Sequence, residues 1–480
     1  MFYEKTLLVK RTSQKIIPIK FDGGINTVVD EMSLPQNVAV CEYNCSGASG
    51  GLKSIGGIDK LTLSANGVSY DVVSPNGKFF VNGWYYTLNN GLNRDDRLIM
   101  LLDDHTLYDY SFVGNANPKK IEGITLSGRS CGVRYKIDQK DCLLLSSDVE
   151  GMYVYDGSTV SFVPTAPKMI SMCIHYERLF ATSGDNVLWF SDDLNPTNWN
   201  ISLDQAGYIE FSDNFGKIIK VISYLDNVFV FRQFGITKLT AYAEQESFSV
   251  TQLFCSSGII YPKTVTICGD IVMFLASDGL YVFNGVNAVK VLGNLNIFDQ
   301  SNQQACGIYD KGKYILACKL KFSAGEGVLC EKSQYKNNAL IYYDLDKRQQ
   351  EIVRGIDCLE MINCLNDSLD LAVILNGQTK LGKLSLSHLM FELPLPYIRV
   401  CPLTDLGLAN RYKLIKSVML LTKQKVTIKI ELDGETFYFD VFGSKEIQEV
   451  RINMQAKLIK ISFLGVDADI RATSLLYSVC

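Results

Sequence analysis

The residues of this chain that come nearest to a chemical signature are Ser191-Asp192-Asp193-Leu194-Asn195-Pro196-Thr197-Asn198-Trp199. They approximate an Asp-box turn, S-x-D-x-G-x-T/S-W, with Asn195 in the glycine position and Asn198 inserted before the tryptophan. The phrase occurs once, and a tight turn pinned by Asx hydrogen bonds with Trp199 packed beneath it accounts for every residue. Glycoside cleavage needs two carboxylates facing each other across a pocket. Asp95-Asp96, Asp103-Asp104 and Asp192-Asp193 are adjacent pairs, and neighbours on a strand point to opposite faces while neighbours in a turn are solvated. His175-Tyr176-Glu177-Arg178 lacks the H-E-x-x-H spacing, no Walker loop is present, and the Gly-x-Ser-x-Gly match at residues 47–51 leads into no helical periodicity, so it is not a nucleophile elbow. Tyr176, Leu179 and Phe180 are expected to pack inside a sheet, with His175 and Glu177 in the turn before it.

Other chemistries fare no better. The loop at residues 47–51 (GASGG) is followed by no helical periodicity, so it is not a phosphate cradle. The three histidines are scattered, and Cys41-x-x-x-Cys45 has no second pair at zinc-finger spacing. Among the 14 cysteines, Cys142, Cys173, Cys268 and Cys318 fall inside apolar strand patterns, where a free thiol behaves as a small hydrophobe. Tyr85-Tyr86 and Tyr342-Tyr343 could stack bases, but tyrosine pairs on strands divide between the two faces of a sheet. The sequence therefore predicts no enzyme, no cofactor and no metal.

The elements that must position these residues are strands. Residues 269–285 (GDIVMFLASDGLYVFNG) read as a hairpin: Ile271 to Leu275, a turn at Ser277-Asp278-Gly279, and Leu280 to Phe283 returning to Asn284-Gly285. Residues 142–157 repeat the phrase with two residues added at the turn, about 130 residues earlier, or about three units of a four-stranded propeller blade. The rhythm runs from about residue 70 to 386. Equivalent strands centre near Tyr108, Tyr153, Leu188, Thr237, Tyr281, Ile341 and Lys380, and their partner strands are expected at residues 82–88, 175–182, 225–232, 269–275 and 312–317. Units that cannot bury both faces alone must pack side by side, and closing them into a ring protects the outer edges. The fold class is all-β: a β-propeller of about seven blades, with six or eight as alternatives because N-terminal residues could complete the first or last.

Residues 1–60 are expected to form an extended N-terminal strap, 61–394 the propeller, and 395–480 a small C-terminal β-sandwich with a tight hairpin at Asp433-Gly434. Net charge is −4 with both signs scattered, so no basic block marks a nucleic-acid surface. No apolar run is long enough for a helical membrane span, and the N-terminus lacks the apolar core and cleavage site of a secretory leader. The chain is expected to be kept in the cytosol until it is assembled.

Several phrases share one resemblance. Phe21-Asp22-Gly23-Gly24-Ile25-Asn26, Leu34-Pro35-Gln36-Asn37, Glu42-Tyr43-Asn44, Gly51-Leu52-Lys53 and Gly56-Gly57-Ile58 resemble the N-terminal strap of bacteriophage tail proteins of the nozzle and packaged-DNA stabilisation type. Glu177-Arg178-Leu179-Phe180, Val187 to Asp192 with Pro196 and Trp199, and Gly269-Asp270 through Tyr281 are similar to blades of the same family. The resemblance implies a structural virion protein of the tail. It would assemble in the host cytoplasm as a ring of copies, a hexamer, with the portal, adaptor or other tail proteins, and gate or conduct the packaged genome, touching its DNA transiently in the lumen. Assembly residues are then expected in the strap, at Asp22, Gly23, Gly24, Asn26, Pro35, Asn37 and Lys53. A second set is expected in the polar insertion at residues 321–336, at Lys321, Glu326, Lys332 and Lys336. The alternatives are a monomeric propeller that binds a protein or glycan and, behind it, a propeller glycoside hydrolase.

Overall fold

The computed structural model describes residues 14–479 apart from 66–67, 91–92, 113–116, 204–205, 243–244, 323–334 and 367–368. The protein is a seven-bladed β-propeller joined to a two-sheet β-sandwich. Six blades are four-stranded antiparallel meanders built from consecutive strands. Their innermost strands are Phe80–Asn90, Ser130–Ile137, Ser171–His175, Ile218–Tyr224, Thr266–Cys268 and Cys306–Asp310, for blades 1 to 6 in order. Blade 7 takes Cys358–Asn366, Leu369–Leu375 and Gly382–Leu384 from the end of the propeller, and its next strand, Ile58–Lys60, from the N-terminal segment. The ring is thus closed by N-terminal residues that the sequence placed in the strap.

Alternation explains the packing. In blade 5, Ile271–Ala276 and Gly279–Phe283 pair with Phe274 opposite Tyr281, their rings stacked at 5.3 Å. Gly279 supplies the turn with φ 146°. One face of each blade packs on the next. Phe231, Phe274 and Phe283 fill the space between blades 4 and 5, and Phe80, Met100, Ile362 and Ile374 join blade 1 to blade 7. Each such aromatic or branched side chain contributes about 2 kcal/mol of burial. The cysteines of these strands are free thiols, with Cys142, Cys268 and Cys318 buried and Cys173 partly buried.

Two local expectations are corrected. Residues 82–88 belong to the innermost strand of blade 1, and the second strand is Asn93–Leu102. The hairpin is long enough that its first strand carries the aromatic alternation which elsewhere marks the second. His175 closes the strand Ser171–His175 and is buried, while Tyr176 sits in the turn, half exposed, because the hairpin register pairs His175 with Arg178.

The repeat also supplies a controlled experiment. The turns after the third strands of blades 2 and 5 are built alike: Asp156 accepts the N–H groups of Ser158 and Thr159 at 2.9 and 2.7 Å, and Asn284 accepts those of Val286 and Asn287 at 3.0 and 2.8 Å. Partial burial works to raise the Asp156 pKa, but the amide and hydroxyl donors of Thr159 and Ser158 outweigh it and bring it to about 2. A depressed carboxyl stabilises the fold above its unfolded pKa, about 3.9, and that contribution disappears as pH falls through the folded value. Asp156→Asn is therefore expected to leave stability at pH 7 within about 1 kcal/mol of the parent. It should flatten the loss of stability between about pH 4 and pH 2, read from urea unfolding at a series of pH values.

The sandwich is more interwoven than a C-terminal domain alone. One sheet runs Cys41–Tyr43, Tyr397–Val400, Ile459–Gly465, Val426–Leu432, Glu435–Val441. The other contains Cys45–Ser46, Leu52–Ser54, Asp469–Val479, Lys413–Thr422 and Gln448–Ala456, with Gln14–Pro18 pairing onto Asp469–Val479. Four strands of the N-terminal segment are thus sandwich strands. Ile415, Val418, Ile428, Ile430, Phe463 and Ile470 form the core between the sheets.

Candidate functional site

The strap residues singled out by the sequence converge where the sandwich meets blade 6. Glycine is required there for space as well as conformation. At Gly23 a Cβ would lie 2.6 Å from the Asn37 carbonyl oxygen, and at Gly47 it would lie 1.9 Å from that of Phe21. Such close crossing lets Gly23 N–H reach the Asn37 carbonyl at 3.1 Å and Ala39 N–H reach that of Gly24 at 2.7 Å. Asn37 Nδ2 donates to Asp22 at 3.0 Å, which holds the Asp22 carboxyl below its usual pKa. Asn26 Oδ1 caps the N–H groups of Val28 and Val29, and the Pro35 carbonyl accepts from Val38 N–H at 3.0 Å. Lys53 is exposed, in register with Ser46 on one side and Asp469 on the other.

Two side chains lock this strap to its surroundings. Asn44, buried and with φ 59°, donates Nδ2 to the carbonyls of Pro396 at 2.7 Å and Arg354 at 3.2 Å. Its Oδ1 accepts from Arg354 N–H at 2.8 Å, and its own N–H donates to Ile352 O at 2.8 Å. The outer strand of blade 6 is thereby covered. Arg399, fully buried, pairs with Glu42, donates Nη2 to the Asn37 carbonyl at 2.6 Å, and stands 5.2 Å over the Phe21 ring. Burial pushes the Arg399 pKa down. Farther along, Thr27 N–H and Asn294 Nδ2 tie the strap to the loop after blade 5.

Between strap and blade lies a cleft of about 210 Å³ lined by Asp22, Gly24, Glu42, Lys313, Asp344 and Arg348 among others. Its carboxylates are committed: Asp22 to Asn37, Glu42 to Arg399, Asp344 to Lys347 at 3.5 Å, and Glu351 to Lys313 at 3.3 Å. The arrangement braces the propeller against the sandwich. Of the strap residues expected in assembly, Asp22, Gly23, Gly24 and Asn37 are brought together, Asn26 and Pro35 hold local turns, and Lys53 stands exposed on Leu52–Ser54. In the insertion, Lys321 N–H donates to Ile297 O and Lys336 N–H to the Asp357 carboxylate. Glu326 and Lys332 lie outside the described residues.

The Asp-box phrase is a turn. Asn198 Nδ2 donates to Asp192 at 2.9 Å, and buried Trp199 donates Nε1 to Pro196 O at 2.9 Å. Asp95 and Asp96 are divided by the strand, Asp95 bonding Arg97 and Asp96 bonding Arg94. Asp104 accepts from Thr106, and Asp103 accepts from Phe79 N–H. No cluster of three or more potential metal ligands occurs among the described residues.

Sequence reasoning missed one feature of the propeller faces. On the face that carries the first-to-second and third-to-fourth strand turns, blades 3 and 4 hold Tyr176, Leu194 and Leu225 at φ 51°, 55° and 44°. They are 53%, 67% and 56% exposed. Tyr242 lies edge-on to Tyr176 at 5.7 Å, and Leu225 approaches Gly285, beside exposed Val286. Bulky side chains seldom occupy left-handed backbone, and here they also forgo burial. The signal was present in the sequence, since two hairpin turns carry Tyr or Leu where Gly, Asn or Asp is usual.

No family model matches the chain, and no curated protein matches it either. Solved structures with similar folds include the computationally designed Ika8 protein, at 9% identity and TM-score 0.39, covering 65% of this chain and 98% of that one. The Neurospora crassa Pan2 WD40 domain matches at 8% identity and TM-score 0.37, covering 64% and 90%. BBS1N, crystallised in complex with ARL6DN, matches at 9% identity and TM-score 0.40, covering 77% and 98%. The propeller assignment rests on the sheets themselves.

Proposed function

We propose that this chain is a non-catalytic structural protein of a bacteriophage tail, of the nozzle and packaged-DNA stabilisation type. In this reading copies assemble as a hexameric ring in the virion, joined to portal, adaptor or other tail proteins, with the genome passing through the ring's lumen. The observation that carries it is the strap: the phrases that bear the resemblance are the ones that lock propeller to sandwich, through Gly23 on Asn37, Glu42 on Arg399 and Asn44 on blade 6. A stiff two-domain body suits a part that transmits force, and contacts are then left to loops. The apolar turn tips Tyr176, Leu194 and Leu225 supply such contacts, at a conformational cost of about 1 kcal/mol each.

The second reading, a monomeric propeller that binds a protein or glycan, draws on the exposed Tyr176–Tyr242 pair. Negative-stain images and native mass of the purified full-length chain separate the two. Closed rings are expected, and a monomer that binds glycans at every concentration overturns the tail assignment. Tyr176→Asn with Leu225→Asn should abolish ring formation while leaving Tm equal or higher, because asparagine is at ease in the left-handed region.

A further inference from the structure

A strand at the edge of a sheet offers unpaired N–H and C=O groups and recruits other strands unless it is short, bent, charged or covered. The innermost strands of the blades line the centre of the ring, and among the described residues every outer edge of a blade or of the sandwich but one has such a defence. The outer strands of blades 1, 2, 3 and 5 are three or four residues long (Lys119–Ile121, Val160–Val163, Gly207–Glu210, Ala288–Val291). That of blade 4, Ser249–Cys255, is bent by a register shift opposite Ile236 and Thr237. That of blade 6 lies under Asn44, and blade 7 ends in the two-residue Leu393–Pro394. In the sandwich, Cys41–Tyr43 and Cys45–Ser46 are short, and Gln14–Pro18 carries Lys15 and Pro18. Gln448–Ala456 has a register shift opposite Ile415 and Ser417, Asn453 at φ 53°, and Glu449 and Arg451 along it.

The exception is Glu435–Val441, ETFYFDV. It has seven residues, no proline, glycine or lysine, and an unbroken register against Val426–Leu432, and its charges lie only near its ends, at Glu435 and at Asp440, which is paired with Lys425. The turn residues Asp433 and Gly434, at φ 47° and 95°, make a two-residue hairpin whose closing pair is Leu432 with Glu435. Alternation from that pair turns the main-chain groups of Glu435, Phe437, Phe439 and Val441 inward. Those of Thr436, Tyr438 and Asp440 point out of the open edge, where no described residue bonds them. Tyr438 is 65% exposed, and Phe442 and Ile447 just beyond the strand are exposed as well.

We propose that this edge pairs with the same edge of a second copy of the chain, antiparallel, about a two-fold axis at Tyr438. The argument for a second copy is the strand's self-complementarity. The two-fold places Tyr438 opposite itself, Phe437 opposite Phe439 of the second copy, Thr436 opposite Asp440, and Glu435 opposite Val441. No like charges meet, and each outward pair exchanges two hydrogen bonds. The half-buried rings of Phe437 and Phe439, which pack on the sandwich core, continue that core across the junction. Such a contact is isologous: it closes on two copies and leaves neither edge bare, unlike the head-to-tail contacts that generate a ring. It is independent of the tail assignment.

Sedimentation velocity of the full-length chain over a range of micromolar concentrations tests it. The parent should self-associate through pairs. Tyr438→Pro removes one outward N–H while sparing the inward ladder, and Tyr438→Lys sets like charges face to face. Each should weaken pairing at least ~10-fold with Tm unchanged. Mixing Tyr438→Lys with Tyr438→Glu should restore it, and the Thr436, Tyr438 and Asp440 amides should exchange more slowly in the pair than in the monomer. A parent that stays monomeric, an association indifferent to all three variants, or a Lys and Glu mixture that does not pair overturns the proposal.

Discussion

Asn44→Ala is expected to cost about 3–5 kcal/mol of stability, one of the two largest effects of any single substitution in this protein. The side chain makes three hydrogen bonds to main-chain groups of Arg354 and Pro396. Alanine strands the Arg354 N–H and the Pro396 carbonyl away from water, at about 1–3 kcal/mol for each group left unpaired. It also places a Cβ-bearing residue with no polar compensation at φ 59°, adding about 1 kcal/mol. Denaturant unfolding checks the total. Asn44→Gly separates the two parts, because it removes the amide but not the conformational ease, and should be milder by about 1 kcal/mol. Faster amide exchange at Arg354 in both variants would locate the damage on the outer strand of blade 6.

Arg399→Met is the other. The guanidinium is fully buried and answers Glu42, the Asn37 carbonyl and the Phe21 ring together. Methionine fills most of the volume but leaves the Glu42 carboxylate inside the protein without its cation, at about 3–5 kcal/mol. Arg399→Met combined with Glu42→Gln should recover a large part of that loss, since a buried ion pair owes much of its apparent worth to the penalty for removing one member. Equal destabilisation by the single and double variants would show that Arg399 acts through its contacts to Asn37 and Phe21 instead.

The blades were legible because their strands advertise themselves. Alternating Val, Leu, Ile, Phe and Tyr between Asp-Gly, Asn-Gly and similar turns placed six of the seven third strands, the centre near Lys380 falling two residues before the last, Gly382–Leu384, and Asp433-Gly434 marked the sandwich hairpin. The seven-blade count was legible only as a central value, because the strand that completes blade 7 is the short Ile58–Lys60, with a single apolar residue and no alternation to read. Propensity also could not find the locks. Asn44 reads as a turn residue, and its bonds go to Arg354 and Pro396, far along the chain. Arg399 sits in Tyr397–Val400, an ordinary strand whose only charge looks solvent-facing until Glu42 is brought to it by the strap. Local pattern reports which face of an element is apolar; it is silent on which distant polar group will neutralise a buried one. The strap residues stand out in the sequence as unusual, but the bonds they make within the chain follow only from where the glycines cross.

The strand that shuts blade 7 also dictates a timetable. Lys60 leaves the ribosome roughly 320 residues before Gly382, the residue it must pair with, an interval of about 15–65 s at ordinary synthesis rates. Throughout it the nascent circle stays ajar, and its first and last blades cannot meet. Brevity and the charges of Asp59 and Lys60 make the waiting segment a poor bait for mispairing, so the clasp is inert until translation delivers its catch. Closure of the ring should accordingly come late, only after Gly382 has emerged, and be sensitive to anything that occupies that catch first.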